Sequence, residues 1–464
     1  MSRSTEIVDR EAGLRRALTR GQTIMISLGG AIGTGLFLSS GIALGYAGPA
    51  VILSYVLTGF VALAVVFSLS ELAVAHPAAG SFGTYAEIYL GDFAGFAVRY
   101  TYWFAQVVAI GFEAVAAGLY MTLWLPRAPV WLWSVGFAAV VLAANLRAVT
   151  VFGRIEYWLA LIKVTAIVFF IVLGLARILG LGAPATGLSN LYRLPGGFMP
   201  NGVSGVWMAS ILALLSYVGT EVVAVTAGEA ADPRRAIPAA LIGALVRLAL
   251  FYILALGVVA ALFPWTETRG TTAIFESPFV KVLQLSGVPA AAGLMNFVLI
   301  SAALSSMNTN VYLCSRMLFS LARGGHAPRA LGRLARSGTP ATAVLITGAS
   351  VTAAVTLAKF TPRAYAYLQG VALFGAIFVW GSILVSHLMF RRVNDASGLP
   401  VRAPLFPLMQ LGGLLLLAAL LATMGLSPDW RISWLVGVPW LALLGAGYLA
   451  SRHLARRRAA LATR

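Results

Sequence analysis

Twelve apolar runs, most of them 20 residues or longer, leave this chain almost no fold other than a bundle of membrane-crossing helices. A helix needs about 20 apolar residues to cross the hydrocarbon core of a bilayer. Within lipid, only helices and closed barrels satisfy their own backbone hydrogen bonds. The runs fall at 22–46, 49–74, 93–122, 129–149, 156–180, 203–228, 236–263, 289–320, 340–358, 363–390, 405–425 and 432–455. Short links bearing Gly or Pro, such as Gly48-Pro49 and Arg127-Ala128-Pro129, separate most of them. Charged residues make up only 10% of the chain, against about 25% in a soluble domain. The expectation is an all-α polytopic membrane protein with 12 transmembrane helices and no separate soluble domain.

A net charge of +18 would mark a nucleic-acid binder in a soluble protein. Here the basic residues sort by loop. Residues 1–21, Arg99, Arg147, Arg154, Arg234, Arg235, the 316–336 run, Arg391, Arg392, Arg402 and the C-terminal tail fall on one side, with most of the 33 Lys and Arg. Arg127, Arg177, Arg193, Arg269, Lys281, Lys359, Arg363 and Arg431 fall on the other. The positive-inside rule makes the first side cytoplasmic, both termini included. The charge thus records orientation and implies no nucleic-acid partner. Residues 1–21 lack a signal-peptide core and read, like 456–464, as a cytosolic tail. The segment His76 to Asp92 is too polar to cross and is expected along the cytosolic interface. An extracellular loop is expected at 181–202, and the loop near 266–285 has room for a short external helix.

Cys314 is the sole cysteine and the four histidines are scattered, which leaves neither a disulfide nor a metal cluster. Phosphate loops, paired catalytic carboxylates and nucleophile–base motifs are missing, so no cofactor and no enzyme chemistry is expected.

The first run is interrupted by Gly29-Gly30-Ala31-Ile32-Gly33-Thr34-Gly35. Each glycine in a helix costs about 1 kcal/mol relative to alanine. Small residues can also serve close helix packing, but this density favours a break. A break frees N–H and C=O groups at membrane depth, tolerated only where they line a cavity or face protein. The half-helix beyond it starts with unpaired N–H groups and partial positive charge, suited to a carboxylate. The candidate site there is Ile32, Gly33, Thr34 and Gly35. The sixth run carries a second interruption, Ser216-Tyr217-Val218-Gly219-Thr220-Glu221. The two interruptions fall in the first helix of two five-helix halves, 22–180 and 203–390, running in opposite directions as an inverted repeat requires. Two further helices, 391–455, follow.

Four segments together resemble the amino acid permeases of the amino acid–polyamine–organocation superfamily, bacterial amino acid transporter branch. They are GGAIGTGLF (Gly29 to Phe37), FGRIEYWLALIKV (Phe152 to Val164), SYVGTEVVAVTAGEAADPRRAIPAA (Ser216 to Ala240) and SSMNTNVYLCSRMLFSLARGG (Ser305 to Gly325). The resemblance covers residues 15–455. It implies the 5+5 inverted-repeat fold with helices one and six discontinuous, alternating access, and proton coupling in most members.

Within the runs, Glu221 lies at the second interruption, where a carboxylate is expensive unless paired or facing a wet cavity. It can stabilise the unwound backbone, bind the substrate ammonium or carry a proton. Glu113, about 20 residues into the third run, serves either a helix–helix hydrogen bond or the site. Tyr217 adjoins the interruption and is a candidate lid. Glu71, Glu156 and Glu229 lie near cytosolic ends and are expected to pair with arginines. Lys163 is one of only three lysines. It either snorkels toward the cytosolic face or titrates, as a buried amine can and arginine cannot. In similar proton-coupled permeases an amine on helix five stands where sodium sits in sodium-coupled relatives. The resemblance puts Lys163 at that position, with Ser305 and Ser306 as neighbours. The expected function is proton-coupled uptake of an α-amino acid across the plasma (inner) membrane. Its carboxylate would lie on the amides of Ile32 to Gly35 and its ammonium on Ser216, Gly219 and Thr220, near Glu221. The alternatives are an amino acid/polyamine exchanger and a non-transporting amino acid sensor.

Overall fold

The computed structural model describes residues 3–11, 13–14, 17–26, 32–78, 80–181, 184–226, 229–268, 277–288, 290–357 and 364–462. Gly29, Gly30 and Ala31 of the first interruption lie outside the described residues. Among the described residues the structure is helical, with one isolated bridge between Leu18 and Ala230.

Helix α1 (Arg3–Asp9) precedes α2 (Arg20–Met25) and α3 (Thr34–Ala47), the two halves of the first crossing. Then come α4 (Val51–Ala75), the non-crossing α5 (Ser81–Leu90), α6 (Asp92–Met121), α7 (Val130–Asn145) and α8 (Val149–Leu179). The sixth crossing is again two pieces, α9 (Gly202–Tyr217) and α10 (Val222–Thr226). The seventh comprises α11 (Pro233–Arg247), a π-helical stretch (Leu248–Leu254) and α12 (Ala255–Leu262). The rest are the short α13 (Pro278–Leu285), α14 (Ala291–Arg323), α15 (Ala341–Leu357), α16 (Ala364–Val393), α17 (Leu408–Leu426) and α18 (Ile432–Ala462). Among the described residues, eight stretches are long and apolar enough to cross a membrane. The 42-residue stretch Thr34–Ala75 turns at Gly48–Ala50 and supplies two crossings. The shorter apolar helices α7, α9 and α15 complete the twelve.

Burial sorts these helices into inner and outer. The most apolar windows of α6 and of the α16 stretch Tyr367–Val393 are 83% and 78% buried, against 33% for α17 and 22% for α18. The pillar of the fold is α6, packed against α14 on one side and α16 on the other. Helices α3 and α4 pack on α9, which joins the second half of the first interrupted crossing to the first half of the other. Exposed leucines on the outer helices, such as Leu411, Leu415 and Leu435, lose nothing in lipid, because acyl chains are as apolar as leucine.

The arginine-rich end differs from the sequence expectation. Helix α5 does not lie on a surface: Ser81 through Glu87 are buried. Within residues 1–21, read as a cytosolic tail, Glu11 is only 3% exposed. Its carboxylate accepts from the Gly80 N–H (2.7 Å), Arg99 (3.1 Å), Thr84 (3.0 Å) and Ser320. Arg99 also donates to Glu87 (2.9 Å), which Arg10 reaches from the N-terminal segment (2.5 Å). Burial pushes the Glu87 carboxyl up, but Arg99 and Arg10 outweigh it and hold it below the ordinary carboxylate range. Two more clusters sit at this end. Glu229 accepts from Arg316 (2.7 and 3.2 Å) and the Tyr312 hydroxyl (2.8 Å). Glu71 meets Arg391 (2.5 Å), His387 (3.2 Å) and the Ala403 N–H (2.9 Å). Glu71 and Glu229 thus have the arginines expected of them.

Candidate functional site

The first interruption is built from both sides. Helix α2 starts with a capping box, the Thr19 hydroxyl accepting from the Gln22 N–H and the Gln22 side chain accepting from the Thr19 N–H. Helix α3 starts at Thr34, and its N-cap Gly33 supplies no side-chain cap. A break at membrane depth has to be satisfied by something, and here two other helices do it. From α6, Glu113 accepts the Thr34 N–H on both carboxylate oxygens, each at 3.1 Å. From α8, the Lys163 ammonium donates to the Ile32 carbonyl (2.9 Å) and to the Ser305 hydroxyl (2.7 Å). With Glu113 seated here, a Cβ at position 33 would lie 1.9 Å from Glu113 Oε1 and 2.9 Å from Ser306 Oγ, so any larger residue has to displace the glutamate.

Behind Lys163 runs a buried polar chain. Ser305 donates to Glu156 Oε1, Asn308 donates to Glu156 Oε2 (3.0 Å), and Asn145 donates to Asn308 (2.8 Å). This corrects the expectation of an arginine partner for Glu156. The residue is fully buried inside α8, and a hydroxyl and an amide of α14 satisfy its carboxylate. Lys163 is likewise 0% exposed, and its ammonium is held at the interruption instead of reaching for a headgroup.

The second interruption holds itself. Between α9 and α10 the chain turns over Val218–Glu221, with Gly219 at φ 97°, a backbone region open mainly to glycine. The Glu221 carboxylate folds back to accept the Gly219 N–H (2.8 Å). It also accepts from the Tyr102 hydroxyl (3.0 Å) and the Trp380 indole N–H (3.3 Å). Three protein donors surround a carboxylate that is 1% exposed. Tyr217 is fully buried, and its hydroxyl donates to the Tyr55 carbonyl (2.9 Å). Its ring centroid lies 4.4 Å from that of Tyr252, whose hydroxyl donates to the Ser216 carbonyl (2.6 Å). Tyr217 thus packs inside the bundle against Tyr55 and Tyr252.

Between the two interruptions lies a small cavity. Gly33, Gly35, Leu36, Leu215, Ser216, Val218 and Gly219 supply the interruption side. Ala105, Gln106, Ala109, Phe112 and Glu113 of α6, Ser306 and Asn310 of α14, and Ala372 of α16 supply the opposite wall. Of the residues expected from sequence, Gly33, Gly35, Glu113, Ser216, Gly219 and Ser306 line this space. Ile32, Thr34, Lys163 and Ser305 are fully or almost fully buried and hold the first interruption from behind. Tyr217, Thr220 and Glu221 are not in the lining. Sequence reasoning missed Gln106 and Asn310. A helical-spacing signal was available, since Gln106, Ala109 and Glu113 share a face of α6, as Ser306 and Asn310 do on α14. Among the described residues no group of three His, Cys, Asp or Glu side chains could hold a metal ion.

The chain has relatives of known family along nearly its whole length. The family model described as amino acid permease matches residues 22–460. The uncharacterized amino acid permease YtnA of Bacillus subtilis is 37% identical over 458 residues, 97% of this chain and 98% of that one. The aromatic amino acid transport protein AroP of Escherichia coli K12 is 38% identical over 447 residues, 96% and 97% of the two chains. AroP of Salmonella typhimurium LT2 is 38% identical over 448 residues, with the same coverage. These relatives are permeases, not enzymes, and they cover this chain almost end to end. The chain belongs to the amino acid permease family of the amino acid–polyamine–organocation superfamily.

Proposed function

We propose that this multi-pass membrane protein couples proton entry to uptake of an aromatic α-amino acid across the plasma membrane by alternating access. The arginine-rich end, with both termini, faces the cytoplasm. The observation that carries the reading is the first interruption, where an amide and a carbonyl beside the cavity are held by ionisable groups from α6 and α8. The substrate carboxylate is assigned to the Thr34 amide, at the positive end of α3. The ammonium is assigned to the second interruption, where Ser216 and Gly219 line the cavity. Ala105, Ala109 and Ala372 leave room on the opposite wall, Phe112 makes part of that wall apolar, and Leu36 and Val218 add apolar surface on the interruption side. That suits a ring, in keeping with the aromatic amino acid transport named for AroP. Glu221 acts as a structural group of the second interruption.

Lys163 is assigned the coupling role. Its bonds to Ile32 and Ser305 tie α8 to the first crossing and to α14 while the amine is charged. Loss of the proton loosens that tie and lets the crossing move. A pKa that differs between the two states by one unit contributes about 1.4 kcal/mol of coupling. Opening toward the cytoplasm has to part the three buried charge clusters at the arginine-rich end, which serve as the inner gate.

The test is uptake into proteoliposomes under an imposed pH gradient. Labelled phenylalanine, tyrosine or tryptophan is expected to accumulate when the outside is acid, with aliphatic amino acids competing poorly. Lys163→Arg is expected to keep counterflow and lose accumulation. Counterflow in the parent protein with no gradient-driven uptake makes it an exchanger. Accumulation retained by Lys163→Arg removes the lysine from the coupling role. Methyl esters are expected to compete at least tenfold more weakly than free acids. Equal competition overturns the carboxylate assignment.

A further inference from the structure

The amide assigned to the substrate carboxylate already holds a carboxylate of the protein. Glu113 comes from α6, 79 residues along the chain, and both its oxygens lie 3.1 Å from the Thr34 nitrogen. This is not a cap that α3 makes for itself, because Gly33 contributes no side chain. The absent Cβ at Gly33 is what admits Glu113, since a methyl group there would overlap Oε1. Glu113 is 3% exposed and also lines the cavity, so the amide's partner is in direct reach of an incoming solute.

From this geometry we infer that Glu113 is a tethered stand-in for the substrate carboxylate, seated on the Thr34 amide in the empty site and displaced when substrate binds. One N–H donor cannot serve two carboxylates at full strength. Two negative groups converging on one hydrogen repel each other strongly in a buried setting. Substrate affinity is then a difference between two carboxylates competing for one amide. A solute lacking a carboxylate gains nothing by entering, because it cannot replace the bonds that Glu113 gives up. The empty site also never leaves the end of α3 unpaired. The inference rests on the assignment of the substrate carboxylate to Thr34, and its tests are chosen so that the two can fail separately.

In Glu113→Ala the vacated space should accept a free carboxylate. Acetate is the probe, with acetamide and chloride as controls, read as the melting temperature of the purified full-length protein. A ligand that binds only the folded state raises that temperature in a saturable way. Acetate is expected to raise it by several degrees in Glu113→Ala and by less than a degree in the parent protein, with acetamide inert in both. Equal responses to acetate and acetamide in the variant overturn the inference. A second measurement needs no cavity-forming variant. Infrared difference spectra of the parent protein with and without substrate should contain a shift of one carboxyl band that Glu113→Gln removes. No change at Glu113 on saturation with substrate overturns the inference even if Glu113→Ala does not fold. If free acids outcompete esters while the Glu113 band stays silent, only the stand-in role fails. If esters bind as well as acids, the underlying assignment fails as well.

Discussion

The two interrupted crossings solve the same problem in opposite ways. Both free backbone groups at membrane depth, and both place a glutamate on a freed N–H. At the second interruption the glutamate is local: Glu221 reaches back two residues to Gly219, and Tyr102 and Trp380 lock it there. At the first, the partners are borrowed, Glu113 from α6 and Lys163 from α8. The Glu221 carboxylate belongs to the interrupted crossing itself, although Tyr102 of α6 and Trp380 of α16 also hold it. Borrowed partners can be traded, because they belong to other helices and Glu113 faces the cavity. On the proposed reading the first interruption is the one that exchanges partners, and the second lines the cavity with Ser216 and Gly219.

This difference is broken most directly at Glu221. Glu221→Ala strands the Gly219 N–H, the Tyr102 hydroxyl and the Trp380 indole, all buried. Each stranded group costs about 1–3 kcal/mol, so the loss should reach about 3 kcal/mol or more. Glu113→Ala strands the Thr34 N–H beside the cavity and leaves Ser306, which also lines that cavity, one partner fewer, and should cost about 1–2 kcal/mol. Melting temperatures of the two purified variants check this, with Glu221→Ala expected to melt far lower. Equal melting temperatures would erase the distinction between a local and a borrowed partner.

The next effect separates two glycines of the first interruption that look alike in sequence. A Cβ at Gly33 meets Glu113 at 1.9 Å, whereas one at Gly35 meets nothing closer than the Ser216 Cα at 3.9 Å, an ordinary contact. Overpacking costs about 1–3 kcal/mol, and about 1.4 kcal/mol is a tenfold change in affinity. Because a displaced Glu113 no longer competes for the Thr34 amide, Gly33→Ala should therefore tighten substrate binding roughly tenfold or more, whereas Gly35→Ala should change it by less than about threefold. Calorimetric titration of the two variants with the preferred substrate reads both. Equal changes would mean that the amide end of α3 as a whole, and not the seat of Glu113, sets affinity.

Much of this arrangement was legible because it is written locally. Glycines and polar residues inside apolar runs announced both interruptions, and the lysine motif led to Lys163 and Ser305. What stayed hidden was every partner that depends on how helices are rotated about their axes. Helix α9 is apolar over most of its surface, so no polar face told which way Tyr217 points. The pairing of Glu113 with Thr34 spans 79 residues, and that of Glu156 with Ser305 spans 149. Burial was misjudged for α5 and Glu11 for a related reason. Polar segments at the end of a membrane protein look solvated until Arg99 and Arg10 are seen to neutralise them.

The smallest effect tests whether the second interruption is as inert as its bonding makes it. The Tyr252 hydroxyl donates to the Ser216 carbonyl at 2.6 Å, and Ser216 lines the cavity. The Tyr252 ring packs against Tyr217 at 4.4 Å and Tyr55 at 5.9 Å. Tyr252→Phe keeps those ring contacts and removes only the hydroxyl. It leaves a carbonyl with one bond fewer, at a cost of about 1 kcal/mol. If the second interruption is a rigid wall, this loss appears in the melting temperature alone, as a drop of a few degrees. Substrate affinity and gradient-driven uptake should then stay within about twofold of the parent, because about 0.4 kcal/mol separates a twofold change from none. A Tyr252→Phe protein that melts normally but transports poorly would show the opposite. The Ser216 carbonyl would then be a working part of the site, its strength as an acceptor for the substrate ammonium tuned by Tyr252. In that case both interruptions, and not the first alone, take part in the exchange of partners on which transport depends.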